Sequence, residues 1–141
     1  MKRQNILITG ASAGLGLTMA NREQNFGHLV TISSVSSQCG FAKSMTVYAA
    51  TKAALASLTE GIGIDVPNTP IRVTTIHPGY IATEITNPDK KLPFIVNADV
   101  GCKAIIKAIE KEVNVAFVPF WPLGNDALCV KNFTCCVNAQ A

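Results

Sequence analysis

Residues 5–9, NILIT, form an apolar run that passes without a break into glycines at 10, 14 and 16. A run this short and unalternated suits a strand buried on both faces of a parallel sheet. The glycines let the backbone turn sharply and come close to an anion such as a pyrophosphate. A helix opening near Ser12 would then point its free N–H groups at that anion. Three more apolar runs follow, at residues 28–33, 71–76 and 113–118. The later ones are separated by helical stretches.

The helical stretch at 46–64 has Leu55, Leu58 and Ile62 at core spacing and a run of alanines that permits close approach of another helix. Gly61 and Gly63 weaken its last turns by about 1 kcal/mol each relative to alanine. The same helix carries Tyr48 and Lys52, four residues apart and therefore on one face, about one turn from each other. An ammonium beside a phenol favours the phenolate, which makes a group able to give and take a proton near neutral pH. By itself that spacing occurs in many helices. Its surroundings add meaning: the run at 28–33 delivers Ser34 to a strand end fourteen residues before Tyr48, and the run at 71–76 leads into Pro78-Gly79. Residues 35–47 read as an active-site loop. Asp99 is the expected N-cap of a second helix over 100–112, with Ile105, Ala108 and Ile109 facing inward.

Four motifs thus stand in order: T-G-x-x-x-G-x-G at Thr9 to Gly16, I-S-S at Ile32 to Ser34, Y-x-x-x-K at Tyr48 to Lys52, and P-G-x-x-x-T at Pro78 to Thr83. Any one could arise by chance; four in sequence do not. In these motifs the chain resembles the short-chain dehydrogenases/reductases, Rossmann-fold oxidoreductases that use NAD(H) or NADP(H). The resemblance implies Tyr48 as the acid/base. It implies that Lys52 lowers the phenol's pKa and holds ribose hydroxyls, and that Ser34 hydrogen-bonds the substrate carbonyl or hydroxyl, with Ser33 as the alternative. It further implies cofactor contacts from Gly10, Ser12, Ala13, Gly14, Leu15 and Gly16, from Tyr48 and Lys52, and from Pro78, Gly79, Ile81 and Thr83 around the nicotinamide carboxamide. Residues 84–97 would form the substrate loop. No metal is implied.

The family's plan is not fully represented. Its first helix is followed by further strands and helices before the serine strand, a region with the ribose-recognising residue, an Asn-Asn-Ala-Gly motif and the Asn of the proton relay. Here only Leu17 to Gly27, eleven residues, separate Gly16 from His28. The expected fold is therefore a reduced Rossmann-like, three-layer α/β arrangement, with a parallel sheet of about four strands flanked by helices. Residues 1–141 would form one shortened NAD(P)-binding domain. Nothing remains to choose NAD over NADP. The missing neighbours leave a sheet edge open, and open edges invite pairing. Either the first strand pairs directly beside the serine strand, or two chains complete each other as a homo-oligomer.

Composition narrows the remaining classes. Hydrophobic residues make up 48% of the chain and charged residues 15%, a globular pattern with a sparse charged coat. The net charge of +3 is small and unclustered, which gives nucleic-acid binding no support. Five cysteines, at 39, 102, 129, 135 and 136, form no C-x-x-C pair, and reduced thiols in a cytoplasmic protein are the expectation. Met1-Lys2-Arg3 leads straight into the first strand, so no signal peptide is expected. No apolar run approaches the roughly 18 residues of a membrane span. Two functions stay open. One is an NAD(P)-dependent oxidoreductase transferring hydride between cofactor and an alcohol or ketone. The other is an internally deleted, inactive relative that serves as a binding or dimerising module through its alanine-rich helix. The weak helical periodicity of the last nineteen residues does not choose between covering the sheet and reaching a partner.

Overall fold

A computed structural model describes residues 6–7, 27–82 and 95–119. The glycine turn, the greater part of the substrate loop and residues 120–141 lie outside the described residues. The described elements are strand β1 (Ile6–Leu7), strand β2 (Gly27–Ile32), a 3-10 turn (Val35–Gln38), helix α1 (Met45–Asp65), strand β3 (Ile71–Pro78), helix α2 (Ala98–Glu110) and strand β4 (Val115–Val118). The four strands form one sheet in the order β1-β2-β3-β4. All three pairings are parallel, with Ile6 opposite Leu29, Ile32 opposite Ile76, and Ile76 opposite Ala116. The first strand thus sits directly beside the serine strand, the closure expected of a reduced Rossmann-like sheet.

Two-residue alternation sorts the strand residues onto two faces. Val30, Ile76, Ala116 and Val118 form a buried cluster with Ala108 of α2, and Ile105 and Ile109 pack against it. The opposite face carries Leu29, Thr31, Val73, Thr75, His77 and Phe117, all buried. Helix α1 covers this face, where Thr31 Oγ1 lies 3.0 Å from Thr59 Oγ1 and an added Cβ on Gly63 would touch Val73. The result is three layers, α1 over sheet over α2. The two described crossovers, through α1 and α2, step in the same direction across the sheet yet place their helices on opposite faces. They therefore have opposite hands, and one departs from the usual right-handed rule.

Several expected boundaries shift. β3 continues past Ile76 through His77 and Pro78, and β4 begins at Val115 rather than 113. Helix α2 begins at Ala98, capped not by Asp99 but by Asn97, whose side chain accepts a hydrogen bond from Val100 N at 2.8 Å. Asp99 falls in the first turn, where its charge still meets the positive end of the helix dipole. In α1, Leu58 is 36% exposed while the neighbouring Thr59 is 1% exposed, so the buried stripe is turned by one residue from the expected one. Among the described residues, no helix is long and apolar enough to cross a membrane.

Ile76 is fully buried at the centre of the α2 face. Truncating it, as Ile76→Ala, is expected to cost about 3 kcal/mol through lost transfer energy and the cavity left behind. Urea unfolding should show a lower midpoint with an unchanged slope.

Candidate functional site

The carboxyl ends of the parallel strands gather the motif residues. Ile32 and Ile76 are paired in register, and Ser33 N donates to Ile76 O at 2.7 Å. Ser34 and Pro78 therefore sit level with one another, Ser34 two residues beyond the end of β2 and Pro78 at the last residue of β3. Ligands of open α/β sheets bind at this edge.

Two hydrogen bonds fasten α1 to that edge. Lys52 Nζ donates to Ile32 O at 2.8 Å, and Ser33 Oγ donates to the Lys52 carbonyl at 2.8 Å. Through them, Lys52 is held above the end of β2. Its Nζ also lies 5.9 Å from the centroid of the Tyr48 ring, the outer limit of a cation–π contact. Tyr48 is 42% exposed, so its phenol is open to solvent and solutes. The fourfold spacing read from the sequence is thus realised as a helical neighbour pair.

The two serines divide their tasks. Ser33 is buried and its hydroxyl proton goes to the Lys52 carbonyl, which makes it the anchor of the helix. Ser34, also buried, caps the 3-10 turn: its Oγ accepts from Ser36 N at 3.2 Å and lies 2.7 Å from Ser36 Oγ. When Ser36 is the donor of that second contact, both acceptor positions of Ser34 Oγ are filled and its own proton is left to donate. Residues 35–47 are accordingly not one open loop; their first part is this short, internally bonded turn.

The Pro-Gly segment is pinned from two sides. Gly79 N donates to Val118 O at 2.8 Å, prolonging the β3–β4 ladder. Ile81 forms a parallel bridge with Val96, in which Ala82 N donates to Val96 O and Val96 N to Tyr80 O. Gly101 of α2 is buried against Ile81, and a Cβ there would come within 2.7 Å of Ile81 Cδ1. The Tyr80 phenol is pushed above its ordinary value, first by burial and then by the nearby Cys39. Gly10, Ser12, Ala13, Gly14, Leu15, Gly16 and Thr83 lie outside the described residues.

One residue at this edge was not singled out from the sequence. His77 is buried on the α1 face, stacked on Phe117 with ring centroids 4.8 Å apart and planes 20° from parallel. Its Nδ1 lies 3.1 Å from the Ser34 carbonyl and 3.1 Å from Ser37 Oγ. The available signal was period two: His77 continues the inward series Val73, Thr75 immediately before the Pro-Gly motif. Burial pushes its imidazole below the ordinary value of 6.5, against an opposing pull from the bond to Ser34. The unfolded chain therefore binds a proton more readily. The stabilisation from neutral His77 is fully present above about pH 6.5 and is lost as pH falls through the lower folded value. Thermal midpoints should accordingly fall between about pH 7 and about pH 5, and more steeply than in a His77→Asn variant.

The family model of the short chain dehydrogenases matches residues 18–92. An uncharacterized oxidoreductase of Mycobacterium tuberculosis is 41% identical over 118 residues, covering 84% of this chain and 46% of that protein. An uncharacterized oxidoreductase of Staphylococcus aureus is 46% identical over 66 residues, covering 45% of this chain and 27% of that protein. The chain spans about half the length, or less, of these relatives. A short-chain dehydrogenase from Sphingobium yanoikuyae, solved with NADPH, superposes with a TM-score of 0.64 at 24% identity over 89% of this chain and 48% of that one. A Burkholderia cenocepacia short chain dehydrogenase, solved with NADP, gives 0.60 at 22% identity over 82% and 47%. At such identities the structural likeness is one of fold. The family follows from the model match across residues 18–92: the chain belongs to the short-chain dehydrogenases.

Proposed function

We propose that this chain is an NAD(P)-dependent oxidoreductase that moves hydride between a nicotinamide nucleotide and an alcohol or ketone, with Ser34, Tyr48 and Lys52 as its working residues. The observation that carries this reading is the pair of hydrogen bonds holding Lys52 at the end of β2, within reach of an exposed Tyr48 and bonded through its carbonyl to Ser33, the neighbour of Ser34. The donor set fits such a cofactor: Lys52 has three N–H donors and one is given to Ile32 O, which leaves others for ribose hydroxyls. Pro78, Gly79 and Ile81 lie at the same edge and would flank the nicotinamide, with Gly10, Ser12, Ala13, Gly14, Leu15, Gly16 and Thr83 assigned to the rest of the cofactor. The NADPH and NADP bound in the Sphingobium and Burkholderia proteins support the cofactor class.

When bound, the reduced cofactor would supply the hydride, with its two electrons, that the carbonyl carbon needs. Ser34 donates its hydroxyl proton in a hydrogen bond to the carbonyl oxygen and fixes it. Tyr48 Oη transfers a proton to that oxygen, completing the alcohol. Lys52 stabilises the negative charge left on the phenol oxygen, and solvent at the exposed ring restores the proton. In the oxidative direction the same groups act in reverse. The test is loss of NADPH absorbance on adding simple ketones and aldehydes to the purified chain. Carbonyl-dependent oxidation supports the reading, and its absence across the panel counts against it.

A second reading, an inactive binding or dimerising module, is favoured by the outer surface of α1, where Val47 is 71% and Ile64 70% exposed. It requires an assembly larger than one chain in sedimentation, with no turnover.

A further inference from the structure

We propose that His77 is a positioning residue that fixes the direction of the Ser34 hydroxyl by holding the Ser34 carbonyl from beneath the 3-10 turn. The inference rests on the oxidoreductase reading, because that reading gives Ser34 its task.

The tautomer follows from the contacts. A carbonyl oxygen has no hydrogen to give, so the 3.1 Å approach of His77 Nδ1 to Ser34 O requires Nδ1 to carry the proton. Ser37 Oγ donates its single hydrogen to the same carbonyl at 2.7 Å and accepts from Gln38 Nε2 at 2.9 Å. Its 3.1 Å contact with His77 Nδ1 is then a second acceptance, shared with the Ser34 bond. Ser37 N adds a third donor to the carbonyl, at 3.1 Å. One carbonyl thus receives Ser37 N, Ser37 Oγ and His77 Nδ1.

The consequence for Ser34 is geometric. Its side chain caps the turn that its carbonyl opens, so the peptide plane leaving Ser34 and the Oγ direction are set together. Two of the three donors belong to the turn itself and move with it. His77 is the donor from outside, on β3, and its ring cannot swing freely because it is buried and stacked on Phe117. It therefore references the turn to the sheet, and through the sheet to Pro78 and Gly79, the next two residues of its own chain. A serine that must meet a carbonyl oxygen while Tyr48 meets the same atom needs this fixed reference, since misplacement by about 1 Å can cost a hundredfold in rate.

Two substitutions separate the bond from the packing. His77→Phe keeps a ring to stack on Phe117 and removes the donor. His77→Asn gives up the ring and keeps an N–H at the position of Nδ1, because the Asn amide nitrogen occupies the same δ position. If His77 positions Ser34, His77→Phe lowers kcat by about tenfold to a hundredfold while leaving the NADPH dissociation constant unchanged, and His77→Asn recovers most of the loss. Amide hydrogen exchange supplies the independent arm: exchange at Ser37 N should accelerate in His77→Phe and return toward the wild-type rate in His77→Asn. Equal kcat in the Phe and Asn variants, or a Ser37 exchange rate indifferent to both, overturns the proposal. A wild-type chain without turnover sinks the oxidoreductase reading instead, and the exchange rates then decide the His77 contact alone.

Discussion

Tyr48→Phe is expected to abolish carbonyl reduction while leaving the fold and cofactor binding intact. The substitution removes one oxygen. Because the ring is 42% exposed, little packing depends on it, and the thermal midpoint should stay within the small range of ordinary surface changes. The chemistry has no substitute: Ser34 has a far higher pKa as an acid than a phenol, and Lys52 is engaged at Ile32 O. General acid catalysis by a placed side chain is worth about 10²–10⁴ in rate, so kcat should fall by a factor in that range. NADPH affinity should change little. Undiminished turnover in this variant would remove Tyr48 from the mechanism.

Lys52→Met should produce a different signature, because Lys52 serves two purposes. Methionine keeps an unbranched apolar stem and loses the ammonium. The Ile32 carbonyl then loses its charged donor, and such bonds are worth about 1.5–3 kcal/mol. The midpoint of unfolding should fall measurably, as it does not in Tyr48→Phe. The NADPH dissociation constant should rise about tenfold, equal to 1.4 kcal/mol, through the lost ribose contacts. The rate should fall about a hundredfold or more, since the charge that stabilises the Tyr48 oxygen in the transition state is gone. Arginine is not expected to rescue it, because its planar fork does not reproduce a compact ammonium at the end of β2. A Lys52→Met variant with unaltered stability and unaltered NADPH affinity would contradict both assignments.

The sheet was legible because its strands are short apolar runs punctuated by glycine and proline, and because the family motifs fix their order. What sequence reasoning missed has consistent physical causes. The apolar run stops at Ile76, but β3 continues through His77, whose ring is satisfied inside the fold by Ser34, Ser37 and Phe117. The large apolar residues of α1 point to a stripe through Leu55, Leu58 and Ile62. The buried stripe runs instead through Ala49 and Thr59, with Gly63 packed on Val73, small residues that allow close approach and that a count of large apolar positions does not weigh. Thr59 belongs inside because Thr31 meets it and its own proton goes to Leu55 O. Asn97 and Asp99 are both good cap residues, and only the extended backbone at Asn97, φ −69° and ψ 160°, distinguishes them. The division of labour between Ser33 and Ser34 also needed tertiary structure, because it depends on Lys52 nineteen residues away from Ser33. Tyr48 and Lys52, in contrast, were visible as a local helical spacing, which needs no partner from elsewhere in the chain.

The second reading, with α1 as an association surface, is compatible with the fold but leaves the arrangement of Ser34, Tyr48 and Lys52 without a task. The two readings part at the cofactor. Calorimetric titration of the purified chain with NADPH and with NADH tests the central claim most directly. Saturable binding of at least one of them, near one per chain and weakened in Lys52→Met, is the expected result. A folded chain that gives no saturable heat with either nucleotide would contradict the account.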